Sequence, residues 1–441
     1  MTIHDSLGLP LGGATAASLD AYERAVGGFQ RFGGDPLASA DAAIAAAPGF
    51  VMAHVLKGYL YALSTEPRAA KVARDIHAAA KVFSVTPRET AHVEALGELA
   101  SGNWNRAGAI LRAISKEHPL DTLALQAGHQ VDYFTGNTAS LRDRIAAALP
   151  AWDKSMPGYH STLGMHAFGL EENGDYAAAE AAGRQAVALE PRNGWAQHAV
   201  AHVMEMQSRQ KEGIQWMRAN PDAWSRDNFL QVHNWWHLSI FHYDLSEVDA
   251  VLALYDGPIY GSRSKLALNM VDASAILWRL FLGCVDVGDR WGPLAQNWLP
   301  FATAGNYAFN DVHAMMAFIG AGKWDAARSL LDAQEEALRG NDDNAGFTRI
   351  GHPFAKGLYA FGRGDYAQAV RLLESISAIA SRFGGSHVQR DVINLTLIEA
   401  AIRSGDREKA RALTAGRLMS HPDSPLSRLF SARAQALSIR E

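Results

Sequence analysis

Apolar residues recur at i, i+3, i+4 and i+7 along most of the chain after about Ala38. No long alternating run bounded by turn signals marks a strand. The helical pattern is interrupted at near-regular intervals by a small or polar turn that opens an Ala-rich segment. The turns begin at Gly102, Gly136, Gly174, Ser208, Ser246, Gly288, Gly322, Gly364 and Gly405, successively 34, 38, 34, 38, 42, 34, 42 and 41 residues apart. Gly34-Asp35 fits the same register two periods before Gly102, with Ser64-Thr65-Glu66 as the turn between. The clearest copy runs from Asn173 to Asn193, NGDYAAAEAAGRQAVALEPRN. In it, Ala179 and Ala186 permit close helix contact and Pro191 stops the second helix.

A helix pair of about 34 residues repeated in tandem is the tetratricopeptide pattern, which stacks into a right-handed α-solenoid. The spacing predicts an all-α array of about ten to eleven helix pairs, a single superhelical domain over residues 21–441. Residues 1–20 read as a loose lead-in. The segment near 256–306 departs furthest from the repeat, with an amphipathic helix expected around Ser264 to Leu282 and another near Trp291 to Phe301.

Composition narrows the class. Hydrophobic content of 48% with 20% charged residues is that of a globular chain. The net charge of -5 offers no basic footprint, so nucleic acid is not expected as a partner. One cysteine, Cys284, excludes a disulfide framework and a cysteine zinc cluster, and reads as a packing residue. No signal peptide and no apolar run long enough for a membrane span is visible, so the chain reads as soluble and cytoplasmic, without a membrane partner. Phosphate loops, dinucleotide fingerprints and nucleophile elbows are all missing from the sequence.

Several phrases are more specific than the repeat. HAVAHVMEMQSRQKEGIQWM, VHNWWHLSIFHYDL, MVDASAILWRL, VDVGDRW, DVHAMMAFIGAG and GGSHVQRDVI follow one another in that order. Together they resemble the tetratricopeptide repeat protein 38 family, over most of the chain from about Leu19. The resemblance implies an all-helical repeat fold and supplies no reaction, ligand or catalytic residue.

Candidate chemistry follows from the register. With each turn as position fifteen, positions two, five, six, nine, twelve and thirteen form one face of the first helix and line the groove. On the Ser208 repeat this stripe reads Trp195, His198, His202, Glu205 and Met206; on the Ser246 repeat, His233, Trp236, His237 and Ile240. Later repeats add Trp278 with Arg279, then Phe309 with His313; earlier ones add Phe168, Glu171 and Glu172, and His92.

Neutral imidazoles with a carboxylate suit one divalent metal, zinc, iron or manganese, with His198, His202, Glu205 and His233 as ligands. The H-x3-H spacing at His198 and His202 lacks the glutamate of a zinc peptidase. Without metal, His198, His202, Glu205, His233 and His237 suit acid–base catalysis of hydrolase or lyase type. Trp195, Trp236, Trp278, Arg279 and His313 would then hold a substrate, Arg279 by neutralising a carboxylate or phosphate. The plainer reading is a buried polar network, with His129, His166 and the tryptophans as packing and Glu171-Glu172 as a solvated helix end. Ser386 reads as a helix cap. The partner expected is thus a small molecule in a His- and Trp-lined pocket or, for a non-enzymatic scaffold, a peptide in the groove; a homo-oligomer is compatible with either.

Overall fold

The structure, a computed structural model, describes residues 3–83 and 86–437. It is an all-α, tetratricopeptide-like solenoid of antiparallel helix pairs. Its only strands among the described residues are a two-residue antiparallel pair, Ile3–His4 with Pro10–Leu11.

The turns carry the register. Gly102, Gly136, Gly174, Gly322, Gly364 and Gly405 all take positive φ, between 66° and 88°. There the chain enters the left-handed region at little steric cost and the ending helix finds partners for its last carbonyls. At Gly174 the Gly174 N–H donates to Glu171 O at 2.9 Å and the Asp175 N–H to Leu170 O at 3.0 Å. The same pair of bonds recurs at Ser208 (3.0 and 2.8 Å) and Ser246 (2.9 and 2.9 Å), serines held at φ 55° and 63°. The acid that follows the glycine then caps the next helix. Asp365 Oδ1 accepts from the Gln368 N–H at 3.0 Å and Asp406 Oδ1 from Lys409 N–H at 2.9 Å.

One turn forms away from its expected place. The hairpin expected at Gly288 closes at Cys284, φ 58°, where Cys284 N–H donates to Phe281 O at 3.1 Å and Val285 N–H to Leu280 O at 3.0 Å. With Cys284 in the register, the spacings 246 to 284 and 284 to 322 both become 38. Cys284 is exposed rather than packed, with an Arg403 Nη2 donor 3.3 Å from its sulfur. In the irregular segment the helices run Ala267–Leu282 and Trp291–Trp298, the second continued by a 3₁₀ turn over Leu299–Phe301.

Packing divides the chain into two compact units, Met1–Val200 with Pro221–Gln231, and Ala201–Asn220 with Val232–Glu441. The first unit takes its second segment from an excursion that returns to the N-terminal helix Ala16–Arg31. Asn228 Nδ2 donates to Arg31 O at 3.1 Å and Arg192 O at 3.2 Å, and Gly34 N–H donates to Asp227 O at 2.8 Å. Its core gathers Leu125, Leu141, Ile145, Met165, Phe168 and Trp195. The N-terminal residues are tied down rather than loose: Leu11 is buried and Gly12 N–H donates to the buried Glu89 carboxylate at 2.7 Å.

The second unit is built around fully buried aromatics, among them Trp236, Trp278, Trp298, Phe318, Phe354 and Phe361. Two of the buried indoles meet an acceptor, Trp278 Nε1 donating to Thr396 Oγ1 at 3.0 Å and Trp298 Nε1 to Ser274 Oγ at 2.9 Å, whereas Trp236 Nε1 has none. Helix His387–Ser404 packs on Ala267–Leu282, and Ser386 caps it in a capping box with Gln389. No helix among the described residues is long and apolar enough to cross a membrane.

Candidate functional site

Three helices of the second unit bring the candidate chemistry together. Helix Gly194–Met206 carries His202 and Glu205, and its residues from Ala201 belong to this unit. Helix Gln231–Asp244 carries His233, Trp236 and His237, and Ala267–Leu282 carries Asp272 and Arg279. The i, i+4 spacing of His233 and His237 puts both rings on one face of their helix. The His202 and His237 ring centroids lie 4.6 Å apart and those of His233 and His237 4.9 Å, and each of the three offers a ring nitrogen within 4.8 Å of the others.

Burial fixes their state. His202 and His237 are fully buried, and desolvation holds both imidazoles well below their ordinary value, the neighbouring histidines adding to the effect. They are neutral at physiological pH. His233 is oriented: its Nδ1 lies 2.9 and 3.0 Å from the two oxygens of buried Asp272, and its ring stacks on Trp236 at 5.4 Å and 12°. A carboxylate on Nδ1 fixes the ring and makes Nε2 the better ligand.

Glu205 falls outside this histidine group and lines a cavity of about 60 Å³ beside it, with Arg279, Tyr243, His387, Asp391 and Arg417. Burial, then the neighbouring Asp244 and Asp391, push the Glu205 carboxyl up to about 8. Its Oε2 is out of solvent without a hydrogen-bond partner. Arg279, 2% exposed, donates Nη1 to Ala275 O at 3.1 Å and Nη2 to Val388 O at 2.9 Å, and its guanidinium stands 5.3 Å from the centre of the Trp236 ring. Asp391 is fully engaged by Arg417 in a fork of 2.6 and 3.0 Å. Asp244 accepts from Ser424 Oγ at 2.5 Å and from Gln210 Nε2.

The remaining candidates, His198 apart, lie in packing. Trp195 packs against Phe168 at 4.7 Å and Phe32 at 5.5 Å in the first unit, and His198, one turn before His202, lies on Trp195 at 4.8 Å. Trp278 is held by Thr396 and packs on Phe281 at 5.0 Å. His313 Nδ1 is 2.7 Å from its own helix at Phe309 O, and burial lowers the ring to about 4. His92 is locked between Asp121 (3.0 Å) and the Tyr59 hydroxyl (3.1 Å). Glu171 and Glu172 are buried, at 0% and 4% exposure, where a solvated helix end was expected. Sequence reasoning missed Asp272, although it carries a usable signal: Asp272 and Arg279 are the sole charged residues of an otherwise apolar or uncharged sixteen-residue helix, and a charge in such a run needs a partner.

No family model matches the chain. Among solved structures it is similar to the human IFIT1 dimer with m7Gppp-AAAA, at 14% identity and a TM-score of 0.42, covering 96% of this chain and 94% of that one. A monomeric IFIT1 mutant with Gppp-AAAA matches at 14% and 0.42, covering 96% of each chain. Naa15/Naa10 bound to HypK-THB matches at 10% and 0.25, over 95% of this chain and 66% of that one. The first two correct one expectation. They were solved with m7Gppp-AAAA and Gppp-AAAA, and the expectation that nucleic acid is not a partner is withdrawn.

Proposed function

We propose that the second unit is a small-molecule-binding module centred on a divalent metal ion held by His202, His233 and His237. The convergence of three ring nitrogens within 4.8 Å, one of them oriented through Asp272, carries this reading. Two properties support it. Buried imidazoles that are already neutral lose no proton to a metal, so affinity is not eroded near pH 7. Three protein ligands also leave a coordination position for a ligand oxygen or water. Bonds of about 2.0–2.1 Å would put two nitrogens of a tetrahedral site about 3.4 Å apart, within the 4.8 Å that bounds the ring nitrogens here.

Of zinc, iron and manganese, the first two suit this all-imidazole ligand set, whereas manganese prefers carboxylate oxygens. The ordered phrases from HAVAHVMEMQ to GGSHVQRDVI support membership of the tetratricopeptide repeat protein 38 family. A peptide-binding scaffold is the second reading, and the repeat fold is its support.

The test is metal analysis of protein purified without chelator, followed by titration with zinc and manganese. One equivalent of metal is expected, with His237→Ala abolishing it and Asp272→Asn weakening it about 10- to 100-fold. A folded wild-type protein that takes up no metal overturns the proposal.

A further inference from the structure

The cavity beside the histidines has an unbalanced ledger of donors and acceptors. Arg279 is buried, yet among the described residues no carboxylate reaches ion-pair distance of it, and only two of its five N–H groups have acceptors, both backbone carbonyls. Trp236 offers its ring face, which offsets part of the cost of burying a cation but accepts no directed hydrogen bond. The acceptors that border the cavity are committed elsewhere: Asp391 to Arg417, and Asp244 to Ser424 and Gln210. The Tyr243 hydroxyl donates to Arg279 O at 3.2 Å. The Glu205 side chain, whose Oε2 is buried and unpartnered, faces the same space.

We infer that this cavity binds a small oxyanion, the carboxylate or phosphate group of a small molecule, with Arg279 as its fixed cation and Glu205 as a neutral O–H donor. A buried guanidinium with open N–H groups is complementary to a planar or tetrahedral oxyanion. The cavity of about 60 Å³ admits such a headgroup with few waters. The carboxyl of Glu205, held near 8 by burial, keeps its proton at neutral pH and so donates to the anion instead of repelling it. The groups facing it are Asp244 and Asp391 on the acidic side and Arg279 and Arg417 on the basic side, with Tyr243, His387 and His421 also lining the cavity. This inference rests on the second unit being a small-ligand binder and does not require a metal at the histidines.

Calorimetric titration of the full chain in the presence of chelator, with acetate in one arm and inorganic phosphate in the other, tests it. Binding of at least one anion is expected at pH 7, and which arm binds identifies the headgroup. Arg279→Gln is expected to weaken it about 10- to 100-fold, the weight of a charge-assisted bond. Arg279→Lys, which keeps the charge and loses the fork, guards against a variant that fails to fold; it should bind more weakly than wild type and more tightly than Arg279→Gln. Acetate affinity should fall about tenfold per pH unit above pH 8 in the wild type and stay flat in Glu205→Gln, which cannot ionise. Equal binding by wild type and a folded Arg279→Gln protein overturns the inference, as does binding of neither anion. Binding by Glu205→Gln but not by wild type also overturns it, because Glu205 would then be the internal counter-ion of Arg279. Because chelator is present throughout, failure here is separable from failure to find a metal.

Discussion

Glu205→Gln should remove a specific slope from the pH dependence of stability. The carboxyl ionises near 4.5 in an unfolded chain and near 8 in the folded one. Between those values the unfolded state gives up its proton while the folded state keeps it, so wild-type stability falls as pH rises from about 4.5 to about 8. At about 1.36 kcal/mol for each pH unit the gap comes to roughly 5 kcal/mol, and about 3–5 kcal/mol after allowing for the partial exposure of the side chain. Glutamine preserves shape and a donor but cannot ionise. The two proteins should therefore be nearly equal in stability at pH 4.5, with the variant ahead by most of that difference at pH 8. For a unit of this size such a difference moves the melting temperature on the order of 10 °C. Asp244 and Asp311 are also raised by burial, so the wild-type curve alone does not isolate Glu205; the difference between the two proteins across pH does. A flat difference curve would refute the reasoning, since it would mean that water reaches the carboxylate in the folded protein.

Three further outcomes are expected. Acidification below about 6.5 should destabilise the second unit, because the unfolded histidines then take up protons that buried His202 and His237 refuse; His237→Gln should flatten that limb of a denaturation series between pH 6.5 and 5. Cys284→Gly should raise the melting temperature modestly, by about 0.5–1 kcal/mol of stability, because glycine relieves the left-handed conformation at φ 58°; a lower melting temperature would show that the Arg403 contact outweighs it. Trp278→Phe should cost about 1–3 kcal/mol through the lost hydrogen bond to Thr396, whose hydroxyl still donates to Val392 O, and the lost ring volume, and leave metal uptake unchanged.

The fold was legible because its turns are chemical as well as periodic. Each expected turn falls on a left-handed residue, Gly288 included at φ 56° although the helix there ends four residues earlier, and the pattern located Ser208 and Ser246 although serine seldom adopts that conformation. It failed at Cys284 for the same reason: nothing in Gly283-Cys284-Val285 announces a left-handed cysteine, while Gly288-Asp289 imitates the glycine–acid signature found at Gly174, Gly364 and Gly405. The N-terminal residues were misread as loose because what orders them is remote. Glu89 and Arg88 hold Gly12 and Pro10, and a sequence separation of nearly eighty residues leaves no local trace.

The slip at Gly288 displaced the candidate side chains only modestly. An error of four residues turns a helix through about 400°, so it misplaces a side chain by only about 40° around the axis and by one turn along it. Arg279 was assigned to the groove by a register that is wrong by four, and it lines the cavity regardless. Trp278, which either register puts on the stripe, is instead consumed by Thr396 and Phe281, since a large ring near a helix contact gains more from burial than from facing a groove. What periodicity does not encode is the protonation of each group once buried. His202 and Glu205 were read as metal ligands or acid–base groups and His237 as an acid–base group, yet burial drives them all to the neutral form, the histidines by losing a proton and the carboxyl by keeping one. That common neutrality leaves Arg279 to the field of Asp391, a carboxylate already forked by Arg417, with no ion pair of its own among the described residues.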